Sequence, residues 1–193
     1  MILRVSLPIG MKKIDSPKIK QNGRDLRTQY YWDRTRRYGE RYREFHWPSV
    51  ALLLNLIHTY DVVATHFAKR VAKFGLSISA FNVLMILSRS DEKGMKQNEL
   101  SHLMLVSRAN ITGLIDSLVR QGLVSREQDA TDRRVCIARI TPQGAQLLES
   151  LLPSHYAEIA RIAGAVNARG KAEMNRLLDQ LRTAVDDEDG GRS

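Results

Sequence analysis

The chain has 193 residues, 43% of them hydrophobic, with a formal net charge of +9 and a sequence pI near 9.9. That length suits one domain, or one domain with an appendage, and the hydrophobic share suffices for a packed core. No apolar run approaches the roughly 18 residues of a membrane helix, residues 1–10 lack the core and cleavage site of a signal peptide, and the lone Cys136 excludes an internal disulfide, so a cytoplasmic protein without a membrane partner is expected.

A basic balance points to a polyanionic partner, usually nucleic acid, although charge alone fits general solubility equally well. Its distribution favours the first reading. Positive charge is dense in residues 1–46 and in a hairpin described below, while Asp186-Asp187-Glu188-Asp189 form an acidic tail.

Residues 1–46 read as a basic N-terminal extension. Pro8, Pro17 and Gly23 interrupt any long helix, so 1–25 are expected to be extended or mobile, and Met11 is a second candidate start. Residues 26–44 suit a helix packed on the body. There Arg34, Arg36, Arg37, Arg41 and Arg43 alternate with Tyr30, Tyr31, Trp32, Tyr38 and Tyr42. Basic residues interleaved with aromatics are a nucleic-acid pattern. A solvated arm whose tyrosines cap a dimer interface is the plainer alternative.

Residues 47–75 read as a long helix, with Pro48 tolerated in its first turn and Gly75 at its end. Val50, Leu53, Ile57, Ala64, Phe67 and Val71 recur at threes and fours, and Leu52, Leu56 and Val63 form a second strip. A helix apolar on two sides is expected to pack on its own domain and on a second subunit, which makes 47–75 a dimerisation helix.

Residues 76–140 suit a compact DNA-binding domain. A short helix spans Ser79–Ser88. Lys96–Met104 is a second, expected to bury Leu100, Leu103 and Met104. After a tight link, Ser107 suits the N-cap of a third helix reaching Gln121. Its stripe of Ile111, Leu114, Ile115 and Leu118 faces inward, and Gly122 suits a C′ stop. Two strand-like runs follow, Leu123–Arg126 and Val135–Ile140, around the polar tip Glu127–Arg134. In the second run Val, Ile and Arg point one way and Cys, Ala and Ile the other. Helix, turn, helix and basic hairpin together make a winged helix-turn-helix.

The C-terminal dimerisation helices occupy 141–185. Thr141-Pro142 opens one that runs to Ala168 with a kink at Pro153. Gly170 interrupts, and Lys171–Val185 make a last helix with Met174, Leu177, Leu178, Leu181 and Val185 inside. Residues 186–193 read as a disordered acidic tail. The fold class is therefore mainly α with a small β-hairpin wing: a winged helix-turn-helix domain plus long dimerisation helices.

Gly122-Leu123-Val124, Arg126, Asp129, Asp132-Arg133-Arg134, Ile140-Thr141, Gly144 and Leu147-Leu148 resemble the wing signature of MarR-type transcriptional regulators. The resemblance reaches upstream to Leu76 and more loosely covers Trp47 to Val185, leaving the first 46 residues outside it. It implies a homodimer in which the first and last helices of two subunits interleave. Such a dimer binds a palindromic operator on double-stranded DNA, most often as a repressor.

In the third helix, Ser107, Arg108, Asn110, Thr112, Gly113 and Asp116 lie off the apolar stripe. Arg reads guanine and Asn adenine in the major groove, so Arg108, Asn110 and Thr112 are candidates for bases, and Ser107 for a phosphate. Many relatives carry a basic residue where this chain has Gly113. In the wing, Asp132, Arg133 and Arg134 sit together. The resemblance implies that one arginine enters a minor groove, for which Arg134 is favoured, while an aspartate holds the other. Arg126 and Arg139 are phosphate candidates that would equally serve as solvated strand residues.

Trp47, His58, Tyr60 and His66 are candidates for an effector pocket, since relatives often bind small aromatic or anionic ligands between the dimer helices and the winged domain. His58 and His66 lack the third and fourth ligands a metal needs, so no metal and no cofactor is expected. Redox-sensing relatives carry a cysteine near the start of the dimer region, where this chain has none. Cys136 reads as a small strand residue, although Arg133 and Arg134 could lower its pKa. No nucleophile elbow, phosphate loop or dinucleotide fingerprint occurs, so the chain does not read as an enzyme. The rivals to a ligand-responsive regulator are a non-specific architectural DNA-binding protein and an enzyme acting on a small molecule in the pocket.

Overall fold

The computed structural model describes residues 26–91, 94–104, 107–129, 132 and 135–190, with the backbone alone at 26–30, 108 and 186–190. The chain divides into two compact units, Met1–Ile78 and Ser79–Ser193. The helices expected at 141–185 thus share a unit with the winged domain.

In the first unit, α1 (Leu26–Gly39) packs on α2 (Trp47–Val71). The turn between them is closed by aromatic side chains. Trp32 meets Trp47 edge-on with ring centroids 5.7 Å apart, and Phe45 lies 6.3 Å from Trp47. Gly39 is buried under the Phe45 ring, and a Cβ there would come within 2.1 Å of it. The helix ends where that contact needs a residue without a side chain. At the start of α2, His46 accepts from the backbone N–H groups of Ser49 and Val50, and its Nδ1 lies 2.8 Å from the Ser49 hydroxyl.

A 3-10 turn, Ala72–Phe74, continues α2 until Gly75 stops it at φ 74°. By length and composition alone, Trp47–Phe74 would suffice to cross a membrane, which corrects the expectation that no apolar stretch approaches that size. Asn55, His58, Asp61 and His66 interrupt its apolar surface. Val71 is buried, whereas Leu52, Leu53, Leu56 and Ile57 are exposed, Ile57 by 58%. The two-sided apolar pattern therefore ends on uncovered faces within one chain.

The second unit runs α3 (Ile78–Leu87), β1 (Met95–Lys96), α4 (Gln97–Leu103), α5 (Arg108–Arg120), β2 (Val124–Gln128), β3 (Cys136–Ile140), α6 (Pro142–Ala163) and α7 (Ala168–Gly190). Its core draws Phe81, Val83, Leu84 and Leu87 from α3, Leu100 from α4, and Ile111, Ile115 and Leu118 from α5. Leu123, Val124, Ala138, Leu148 and Leu151 complete it. Leu103, expected inside, is 61% exposed.

The sheet has three antiparallel strands in the order β1-β3-β2, with Val124 opposite Ile140 and Met95 opposite Ala138. The two-residue β1 is too short for any periodic signal in sequence. Gly94 enters it at φ 76°, close against the Ala138 carbonyl.

Three helix boundaries at the C-terminus are corrected. α6 carries Pro153 inside it and stops at Ala163, not at Ala168. Gly170 does not interrupt a helix. It lies in the first turn of α7, where its N–H donates to the Asn167 side chain at 2.8 Å, an N-cap contact. α7 also continues through residues 186–190, which were expected to lie in a disordered tail.

Candidate nucleic-acid interface

Helix α5 is held by one face and open on the other. Ile111, Ile115 and Leu118 are each no more than 1% exposed, and burying three such side chains favours this placement by roughly 1.5–3 kcal/mol apiece. The Ser107 hydroxyl caps the helix by accepting the Asn110 N–H at 3.3 Å. α4 packs against α5, and the Glu99 carboxylate accepts the Lys96 N–H at 3.3 Å.

Opposite the stripe, Ala109, Asn110 and Gly113 are exposed along the N-terminal half of α5, beside exposed Ser107. Thr112 is half-buried at the border of this face. Ala109 was missed from the sequence because a small apolar residue carries no polar signal. A Cβ on Gly113 would meet nothing within 4 Å. The open face is small and uncharged along its centre, which lets a backbone approach a groove closely. The side chain of Arg108 lies outside the described residues.

The hairpin is fixed at both ends. At its base, the Thr141 hydroxyl donates to the Gly122 carbonyl at 2.7 Å and accepts from the Gly144 N–H at 3.0 Å. The Thr141 N–H donates to the Leu123 carbonyl. Gly144 is buried, and a Cβ on it would fall 2.2 Å from that carbonyl, so α6 can start only where its third residue lacks a side chain. Gly122 at φ 71° turns the chain from α5 into β2. Near the tip, the Asp129 carboxylate accepts the Asp132 N–H at 3.1 Å, Asp129 N–H donates to the Val135 carbonyl, and Val135 N–H to the Asp132 carbonyl. Asp129 thus shapes the loop from within, a role not assigned from sequence.

Arg126 donates to Asp116 at 2.5 Å, joining β2 to α5. Both side chains are about 40% exposed, so the pair is worth roughly 0.2–1 kcal/mol, and its effect is to set the hairpin against the helix. Arg139 pairs with Glu127 across the strands. Both phosphate candidates therefore have carboxylate partners. Arg133 and Arg134 lie outside the described residues. Cys136 is half-buried in β3.

The four pocket candidates are not brought together. Trp47 and His66 are nineteen residues apart on one helix, about 28 Å at 1.5 Å per residue. Trp47 belongs to the aromatic turn, Tyr60 is exposed, and His66 sits edge-on to Phe67 at 5.5 Å. A cavity of about 440 Å³ lies instead in the second unit, between α3, the end of α4 and α6. Phe81, Met85, Ile86, Leu103 and Met104 give it apolar walls, with Asn82, Arg89 and His155 as polar groups. His155 packs on Phe81 at 4.8 Å, and Arg89 donates to the Tyr156 hydroxyl at 3.3 Å and to the Met85 carbonyl at 3.1 Å. Cavity-lining residues scattered over three elements leave no contiguous motif, which hides them in sequence. Among the described residues, no three His, Cys, Asp or Glu side chains could hold a metal ion.

Residues 74–135 match a model described as MarR family. The chain is 33% identical over 148 residues to the HTH-type transcriptional repressor YetL of Bacillus subtilis, covering 75% of this chain and 86% of that protein. Among solved structures it is similar to Sco3205, a MarR family transcriptional regulator from Streptomyces coelicolor in complex with DNA. The TM-score is 0.69, the identity 16%, and the coverage 74% of this chain and 91% of that one. It is also similar to CouR from Rhodococcus jostii bound to p-coumaroyl-CoA, with TM-score 0.59, identity 23%, and coverage of 69% and 90%.

Proposed function

The chain belongs to the MarR family of DNA-binding transcriptional regulators, and from that premise we propose that it is a cytoplasmic, ligand-responsive repressor acting as a homodimer on a palindromic operator. The observation that carries the reading is the open Asn110–Gly113 face of α5, braced to the hairpin through Asp116 and Arg126. A helix of this width fits the major groove, where the N-terminal residues reach base edges. Asn110 then reads adenine and Arg108 guanine, Thr112 touches the rim, and Ser107 meets a phosphate. Arg134 enters the neighbouring minor groove from the wing, while Arg133 helps hold the tip with an aspartate.

The exposed apolar faces of α2 and α7 supply the dimer contact. Two-fold symmetry then places two copies of α5 on half-sites about one helical turn apart. YetL is named a repressor, and blocking a promoter needs no more than occupancy of such a site.

The effector site is the cavity between α3 and α6. Its apolar walls and the cation of Arg89 suit a small aromatic carboxylate, and the similar CouR was solved with p-coumaroyl-CoA bound. A ligand there would wedge α3 from α6 and alter the spacing of the recognition helices.

The test begins by selecting duplexes from a random pool with the purified protein. A palindromic consensus is expected. Arg133→Ala with Arg134→Ala should keep the dimer, weaken binding to that consensus, and lower the salt slope by roughly 0.9 for each phosphate contact removed. Selection of no consensus at all, with equal binding to every duplex, would instead indicate an architectural DNA-binding protein.

A further inference from the structure

The segment joining Leu26 to Trp47 lies outside residues 74–135, which match the family model, and it is built to present one face. Along α1, Trp32, Thr35 and Gly39 turn inward: Gly39 is buried and the other two are half-buried. The turn closes on Trp47 and Phe45, and Arg36 adds a cation over the Trp47 ring at 5.8 Å. By the 100° step of a helix, Arg34 and Arg37 fall on the opposite side with Tyr38 at its edge, and all three are exposed.

The face continues past the helix end. Arg41 lies over the Tyr38 ring at 5.3 Å. Tyr42 packs on Tyr38 at 5.9 Å and donates to its hydroxyl at 3.4 Å, a bond that raises the Tyr42 pKa. Glu40, just past the helix end, pairs with Arg36 on another side, and Asp33, one turn before Arg37, lies at the edge of the arginine face, roughly 70° from its centre. Three guanidiniums and two stacked tyrosines thus share a surface with one carboxylate, that of Asp33, at its edge.

We propose that the Arg34–Arg37–Arg41 face is a second DNA contact, which holds the phosphate backbone of duplex DNA without reading its bases. The proposal rests on the DNA-binding reading above. Charge complementarity selects the partner: the face carries three arginines, Arg41 among them is held over the Tyr38 ring, and guanidinium forks match phosphate oxygens. Guanidinium contacts to phosphate oxygens carry no base information, so the contact is blind to sequence.

The experiment compares the full-length wild type with the triple variant Arg34→Gln, Arg37→Gln, Arg41→Gln. Each is titrated at several salt concentrations with the selected operator and with a scrambled duplex of equal length. The triple Arg→Lys variant keeps the charge. Arg161→Gln, Arg176→Gln and Arg182→Gln together remove three charges from α6 and α7, each already paired with an acid.

The Gln triple should lower the log–log salt slope by about 2–3 on both duplexes. It should also weaken both by the same factor, leaving their ratio unchanged. The Lys triple should restore most of the slope, and the α6–α7 control should leave it intact. Four results would overturn the proposal: an unchanged slope in the Gln triple, a loss confined to the operator, an equal loss in the α6–α7 control, or a shift to monomer, which would assign the face to a second copy of the chain. Loss of co-sedimentation with phosphatidylserine vesicles, with DNA binding unaltered, would assign it to a membrane surface and overturn the proposal as well. A wild type that binds neither duplex would refute the regulator reading itself, a failure visible without any variant.

Discussion

Asn110 shows how a residue is given its use by its neighbours. Its backbone N–H is spent on the Ser107 cap, and its side chain is exposed on the open side of α5. Asn110→Ala is expected to cost about 1–3 kcal/mol on an operator that presents adenine, with little effect on fold, as paired isotherms and thermal melts would check. Thr141 is the structural counterpart. It caps α6 and bonds the Gly122 carbonyl, so Thr141→Ala should destabilise the protein by about 1–2 kcal/mol, measured as a lower midpoint in urea. In the cavity, Arg89→Gln removes a guanidinium that lines it. Affinity for a small aromatic carboxylate should then fall about tenfold or more in calorimetry, and an unchanged affinity would move the effector site elsewhere.

At the scale of elements, the legible and the hidden parts separate by physical cause. The α5 stripe, the Ser107 cap, the Gly75 and Gly122 stops and the existence of the strand pair were readable because each leaves a periodic or positional mark, although β2 runs from Val124 to Gln128 and so takes in Glu127 and Gln128, expected in the polar tip. β1 was not readable, since two residues show no period and their strand character comes from pairing with β3. Gly170 misled for the opposite reason. Glycine usually marks an end, yet here it occupies a first turn where the Asn167 cap fixes the helix start. Leu103 was misplaced because an apolar residue on a short helix also fits a cavity lining. Two glycines make the point quantitative. Gly113→Ala, on an open helix face, should stabilise by about 0.5–1 kcal/mol. Gly144→Ala should cost about 1–3 kcal/mol, because its Cβ would strike the Leu123 carbonyl. Chemical denaturation of both variants would check the contrast.

For the whole molecule, the proposed dimer rests on the apolar faces. Leu53 and Ile57 on α2, and Met174, Leu177 and Val185 on α7, are exposed in a single chain, and grouped exposed apolar residues of this kind mark interaction sites. Removing 171–193 is expected to yield aggregates or dissociated subunits by light scattering, and a soluble, DNA-competent dimer after that truncation would refute the dimer contact assigned to α7. Sequence alone could show that these faces exist. It could not show which of them a single chain covers, because the same period serves an internal core and an interface. The central claim is that α5 reads base sequence. Its most direct test is the ratio of affinities for the selected operator and a scrambled duplex at one fixed salt concentration, measured for the wild type and for Asn110→Ala. The wild-type ratio should be about a thousandfold or more, and Asn110→Ala should cut it about tenfold or more while leaving scrambled-duplex affinity unchanged. A wild-type ratio near one, or an equal loss on both duplexes in Asn110→Ala, would contradict it.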